Sequence, residues 1–446
     1  LIGLTSWGLA GTLTEQQYID AGKAEYPRGN YDGAIYLFTA GLELNPDNPG
    51  LYNDRGLCYF AAGDKEKAID DFSKAIELNP DFAEAYYNQG LVYFKKEKDK
   101  AIADFSKAIE LDPNFVDAYY QRGLTYTAGI HHYSKLPAEP WPTDMEDRYE
   151  RALADFNKVL ELDPNYVLAY AGKGNLFYRY YDSYEEMQKA IAEYDKALES
   201  ENLIIEKVGN KGLGGVYYSR GRAYTHLGEL DRSESDYLKA IELDPYCGKA
   251  LGHLAHLYVD IGGYSEALEL CERYEEAIGR SSSHSLDFKM TSYYPLKEYD
   301  KAIETAEEVA SSSRPRTAAK GNRYLGMICQ AKGDEGKARE YFEKAINLST
   351  GEIAKGGTKT HMAYYERGMN YIELKEYDKA ISDFLKVIEA KAASDREYGH
   401  KNYYADAHIN LVIAYLETGE KEKAREYFEK VVELLQRPGA ARSTGK

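Results

Sequence analysis

Few residues in this chain have the types and spacing that chemistry needs. His253 and His256 lie three apart, which on a helix turns two imidazoles to one side and begins a zinc-type ligand set. No Cys or carboxylate nearby in sequence completes it. The run GNKGLGG, residues 209 to 215, has the glycine density of a phosphate cradle. It lacks the preceding strand and the following Lys-Ser/Thr pair, so it reads as a loop. Cys58, Cys247, Cys271 and Cys329 stand far apart and predict neither a zinc site nor a disulfide framework, only small buried hydrophobes. The nine His and the many acids carry no nucleophile elbow or comparable grouping. The expectation is a chain with no catalytic, cofactor-binding or metal-binding residue, and hence not an enzyme.

Composition narrows the class further. The 446 residues are 43% hydrophobic and 29% charged, the make-up of an ordered water-exposed chain. A formal charge of −18 repels phosphate backbones, which argues against nucleic acid as a partner. No stretch reaches the roughly 18 apolar residues that cross a bilayer. Residues 1 to 14, LIGLTSWGLAGTLT, carry no charge and do not begin with Met. This suggests that an upstream segment is missing and leans the localisation to the secreted or cell-surface side over the cytoplasm, although the basic stretch of a signal peptide is absent. In that setting Asn347, in Asn347-Leu348-Ser349, is the expected glycosylation position.

The elements that would position any site come from internal repetition. KAIDDFSKAIELNP ending at Pro80, KAIADFSKAIELDP at Pro113, RALADFNKVLELDP at Pro164 and RSESDYLKAIELDP at Pro245 are copies of one amphipathic helix. Ahead of each sits a partner helix, as in LYNDRGLCYF, EAYYNQGLVYF, DAYYQRGLTYT and VYYSRGRAYT. A helix pair recurring at about 34 residues, with aromatic, Gly, Tyr, Ala, aromatic, Ala and Pro at fixed offsets, resembles the tetratricopeptide repeat. The resemblance covers residues 15 to 436. It implies an all-α fold, a right-handed α-solenoid of about eleven helix hairpins, and a function in binding other proteins.

The small residue of the second helix recurs as Ala34, Ala68, Ala101, Ala152, Ala190, Ser233, Ala267, Ala302, Ala338, Ala380 and Ala424. The repeats then fall near 15–48, 49–82, 83–115, 116–166, 167–213, 214–247, 248–282, 283–318, 319–360, 361–404 and 405–436, between an apolar arm, 1–14, and a tail, 437–446. Gly56 and Ala68 allow close helix approach, and Phe72 fills the space between neighbouring hairpins. Intervals between anchors run from 33 to 51 residues, and the excess is expected in loops. In the fourth and fifth repeats it falls between the two helices and predicts an edge knob bearing Tyr133, Trp141, Tyr178, Tyr180, Tyr181 and Tyr184.

In the family, ligands lie along the concave surface lined by first helices. The corresponding positions are Asn53, Leu57, Phe60, Tyr87, Leu91, Phe94, Tyr120 and Leu124. The family's Lys/Asn/Arg clamp for a C-terminal carboxylate is missing, and the groove is apolar and aromatic, suited to an apolar peptide or helix. With 43 Tyr, the chain also holds more than its repeat positions use, a composition typical of protein contacts. The last helix keeps Val431, Val432, Leu434 and Leu435 with no solvating helix after them, since Pro438 and Gly439 follow. The arm offers Leu1, Ile2, Leu4, Trp7, Leu9 and Leu13. Together these predict head-to-tail self-association into a filament or tube; a monomeric adaptor using the groove is the alternative.

Overall fold

The computed structural model describes residues 13–130, 143–180, 184–357, 360–392 and 403–436. Within them lie 22 α-helices, one short 3-10 helix and, among the described residues, no strand. The chain divides into two compact units after residue 179. The first holds α1 (Glu15–Glu25), α2 (Tyr31–Leu44), α3 (Pro49–Ala62), α4 (Lys65–Leu78), α5 (Ala83–Tyr93), α6 (Lys98–Leu111), α7 (Val116–Gly129), α8 (Thr143–Leu162) and α9 (Val167–Tyr180). The second holds α10 (Tyr184–Leu198), α11 (Glu201–Leu227), α12 (Leu230–Leu243), α13 (Gly248–Ile261), α14 (Tyr264–Ile278), α15 (Ser283–Tyr293), α16 (Tyr299–Ala310), α17 (Pro315–Ala331), α18 (Glu335–Lys355), α19 (Thr360–Glu373), α20 (Tyr377–Ala392), α21 (Tyr403–Glu417) and α22 (Lys421–Gln436). Within each unit successive helices pack on one another, as α3 does on α4 and α17 on α18, in the manner of a solenoid of hairpins.

One hairpin shows how sequence makes the unit. Asn48 caps α3 by accepting from the backbone N–H of Gly50 and Leu51 at 2.9 and 3.2 Å, with Pro49 in the first turn, where its missing N–H costs nothing. Gly63 ends the helix at φ 90°, a left-handed turn that suits glycine. Asp64 then caps α4 through Lys67 N at 3.2 Å, and α4 stops ahead of Pro80.

The hairpin core is a glycine facing an aromatic ring. A Cβ on Gly22 would stand 2.6 Å from Phe38, on Gly56 2.8 Å from Phe72, on Gly90 2.7 Å from Phe105, on Gly326 2.5 Å from Phe342 and on Gly368 2.8 Å from Phe384. All five rings are essentially buried. Each therefore seats itself against the first helix of its own hairpin, and the next hairpin covers it: Val92 of α5 joins the Phe72 cluster, and Gly172 of α9 lies against Phe156.

The excess lengths are built differently from expectation. They do not fall only in loops: α8 is 20 residues long, α17 is 17 and α18 is 21, against 14 in α3 and α4. Extra residues lengthen helices, because a polar or Ala-rich insertion that continues the turn keeps every backbone bond satisfied. The run read as a loop at 209 to 215 is likewise helical. Gly209, at φ 69°, kinks α11, and residues 210 onward continue the helix.

Candidate functional site

A recurring ionic staple orders the hairpins. Arg55 donates from Nε and Nη2 to the two Asp71 oxygens at 2.8 and 2.7 Å, and from Nη1 to Thr39 Oγ1 of the preceding second helix at 3.2 Å. Arg122 does the same to Asp155 at 2.9 and 2.7 Å and to Ser106 at 3.0 Å. Arg220 pairs with Asp236 and Asp195, and Arg367 with Asp383 and Thr350. Each guanidinium lies 5.4 to 5.9 Å from Tyr rings of its own helix, such as Tyr52 and Tyr59 around Arg55. Burial pushes the Asp71 carboxyl up and the hydrogen bonds from Arg55 oppose it.

The third repeat breaks this pattern. Gln89 stands where arginine stands in those four repeats, and its Nε2 donates to Ser73 Oγ at 2.8 Å. Asp104, the carboxylate of that repeat, keeps a buried Oδ2 with no hydrogen-bond partner. Burial lifts its pKa to about 7, opposed only by the charge of Lys100.

The expected groove residues lie on α3, α5 and α7 of the first unit, with Phe94 just past the end of α5. Asn53 is buried, and its Oδ1 accepts from Asn88 Nδ2 of the next hairpin at 2.8 Å. Tyr87 rests on Phe105 and Phe115, with ring centroids 5.8 and 4.9 Å away, and Tyr120 on Phe156 and Tyr166 at 6.1 and 5.1 Å. Burial raises both phenols, Tyr87 to about 12. Leu57, Phe60, Leu91, Phe94 and Leu124 are half-buried; Leu57 and Phe60 border the Phe72 and Val92 cluster. In the second unit a comparable rung between first helices is ionic, with Arg323 Nε 3.7 Å from Glu366 Oε2.

The last hairpin presents a different surface. On α22, Ala424 and Val431 are buried and Tyr427 stacks on Tyr415, with centroids 5.6 Å apart, while Val432 is half-buried. Phe428, the counterpart of Phe72 and Phe384, is 56% exposed. Val412 occupies the place of Gly56 and Gly368, so the glycine that seats the internal rings is lacking there. Leu416, 55% exposed, and Ile413, 43% exposed, stand on α21 at the positions of Phe60 and Leu57. The side chains of Leu434 and Leu435 lie outside the described residues, as do Leu1, Ile2, Leu4, Trp7 and Leu9; Leu13 is exposed.

Tyr133, Trp141 and Tyr181 of the expected knob also lie outside the described residues. Tyr178 belongs to the core instead of a knob, because α9 turns it inward; Tyr180 is half-buried and Tyr184 exposed. Asn347 is exposed in the middle of α18, and Ser349 of the same motif is buried. His253 packs on Tyr218 and Tyr237, while His256 Nδ1 lies 2.9 Å from Asp260 and its ring meets Phe288 edge-on. Among the described residues no three His, Cys, Asp or Glu gather as a metal site. Burial raises the Cys58 and Cys271 thiols to about 12, far from a reactive thiolate. No helix among the described residues is long and apolar enough to cross a membrane.

Known proteins resemble the chain through its repeats. Models described as TPR repeat match residues 22–63, 56–97 and 96–128, and models described as tetratricopeptide repeat match 146–166, 214–247, 325–350 and 359–437. Kinesin light chain-related protein 3 of Arabidopsis thaliana is 23% identical over 226 residues, 48% of this chain and 29% of that protein. Hsp70-Hsp90 organizing protein 3 of the same plant is 26% identical over 225 residues, 43% of this chain and 38% of that protein. The chain thus spans about a third of the length of these relatives. Among solved structures, yeast Tom70 is 14% identical with a TM-score of 0.41, covering 96% of this chain and 93% of that one. A repeat protein from Parabacteroides merdae is 18% identical with a TM-score of 0.44, covering 62% and 98%. The glycine-aromatic hairpins and the matched models lead to one conclusion: the chain belongs to the tetratricopeptide-repeat family, as an all-α array of protein-interaction repeats.

Proposed function

We propose that the chain is a non-catalytic scaffold whose last hairpin docks a second copy of the same chain, head to tail. The observation that carries this reading is the exposure of Phe428 on α22 together with that of Leu416 and Ile413 on α21. At the same positions in internal repeats the next first helix covers the side chains, as Val92 does for Phe72, Leu57 and Phe60. An uncovered apolar face of this kind favours a protein cover.

The occupant we assign is the arm, residues 1–14. Its Leu1, Ile2, Leu4, Trp7, Leu9 and Leu13 are apolar, and the segment carries no charge. The exposed side of α1, with Gln16, Gln17, Asp20 and Lys23, is polar and a poor match. The net charge of −18 speaks against a nucleic-acid partner. A contact between unlike surfaces propagates, giving a filament or a closed ring. Light scattering on sized fractions tests this: the full chain should grow with concentration, and both Phe428→Glu and removal of residues 1–14 should return it to a monomer. A full chain that stays monomeric throughout would overturn the reading.

A second reading rests on the half-buried row Leu57, Phe60, Leu91, Phe94 and Leu124. These side chains suit an apolar peptide or helix of another protein. Changing Leu91 and Leu124 to Ser should then abolish capture of such a peptide and leave helicity intact.

A further inference from the structure

Four repeats show what their interhelical slot is built to hold. In each, a carboxylate from the second helix, Tyr rings from the first and a hydroxyl or carboxylate from the preceding second helix surround one guanidinium. The Arg55, Arg122, Arg220 and Arg367 side chains keep 17 to 19% of their surface exposed, so the slot opens outward.

The third repeat keeps the residues that frame the slot and lacks the cation. Asp104 and Phe105 repeat Asp71 and Phe72; Tyr86 and Tyr93 repeat Tyr52 and Tyr59; Gly90 repeats Gly56. Gln89 is shorter than arginine, is more withdrawn from solvent than the four arginines, and spends its amide on Ser73. Lys100 does not substitute. It bonds Glu97 at 2.5 Å and lies 4.9 Å from the Tyr93 ring. Its counterpart Lys67 makes the same contacts with Asp64 and Tyr59 while Asp71 still takes Arg55.

We infer that the slot between α5 and α6 is a receptor for an external guanidinium, which enters beside Gln89, pairs with Asp104 and lies between Tyr86 and Tyr93. Planar bidentate recognition favours guanidinium over ammonium. The group could arrive as a free guanidino compound or as an arginine of a partner protein. The site is distinct from the terminal face of the last hairpin, and its test does not depend on self-association.

The experiment follows the Asp104 carboxyl by carbon NMR in the full chain. Agmatine, n-butylamine, acetyl-Gly-Arg-Gly-amide and acetyl-Gly-Lys-Gly-amide are each titrated in turn. Agmatine and the arginine peptide should shift the signal saturably and move the Asp104 midpoint from about 7 toward the ordinary carboxylate range; the two ammonium probes should not. Tighter binding of the peptide assigns a protein source, and tighter binding of agmatine a small-molecule source. Gln89→Arg fills the slot from within and should abolish the response while keeping the fold. Equal response to ammonium probes, a response that survives in Gln89→Arg, or no response to either guanidinium would overturn the inference.

Discussion

Phe384 is buried against Gly368, whose added Cβ would stand 2.8 Å from the ring, whereas the equivalent Phe428 is 56% exposed and Val412 holds the position equivalent to Gly368. A glycine thus accompanies the ring that closes its hairpin, and a valine the ring that stands exposed. The same geometry makes the internal glycines intolerant of even the smallest side chain. Gly368→Ala should destabilise the tenth repeat by about 1–3 kcal/mol, the usual cost of overpacking. Hydrogen exchange should show the loss concentrated in α19 and α20, because repeats couple chiefly to their neighbours.

The Arg–Asp staple should behave as a half-buried ion pair. Arg367→Ala leaves the Asp383 carboxylate, 4% exposed, without its bidentate partner and should cost about 3 kcal/mol in chemical denaturation. Replacing both residues, Arg367→Met with Asp383→Leu, should recover most of that loss, since removing both charges also removes the desolvation cost. A double variant no more stable than the single one would contradict this.

Asp104 gives a pH signature. Its folded-state value of about 7 lies above the ordinary 3.8, so between these values the native chain holds a proton that the unfolded chain has released. Stability from this group therefore falls as pH rises through that window. Gln89→Arg supplies the missing hydrogen bonds, so the variant should gain over the native chain progressively from pH 4 to 7. Thermal melts across that range, compared pairwise, check the sign.

Two hairpin turns carry lysine in a conformation that favours glycine: Lys297 at φ 61° and Lys375 at φ 59°. Gly63, Gly228 and Gly262 take the equivalent left-handed turn elsewhere. Lys375→Gly should stabilise the tenth repeat by about 0.5–1 kcal/mol, relief of the Cβ clash exceeding the added freedom of the unfolded chain. Denaturant midpoints of the single variants measure it.

The hairpins were legible in the sequence because packing forces a small residue opposite an aromatic one, and Gly56 with Phe72 announces that wherever it recurs. The staples were equally present, as Arg-Gly followed by Asp-Phe or Asp-Tyr, but charged residues on amphipathic helices pass for solvated faces unless repeats are compared column by column. Extra length was harder to place. Nothing local distinguishes a longer helix such as α18 from a loop, and a glycine-rich run such as 209 to 215 breaks the helix only at Gly209. Phe428 matched Phe72 by pattern. Its exposure goes with the absence of a covering first helix and with Val412 in the other helix, which only an alignment of both helices reveals.

The central claim is that the Phe428 face is covered by another copy. Sedimentation velocity over a wide concentration range tests it most directly, with the full chain beside Phe428→Glu. The account predicts larger species for the full chain that dissociate on dilution, and a single monomeric boundary for Phe428→Glu with unchanged helicity. Identical boundaries for the two proteins at every concentration would contradict it.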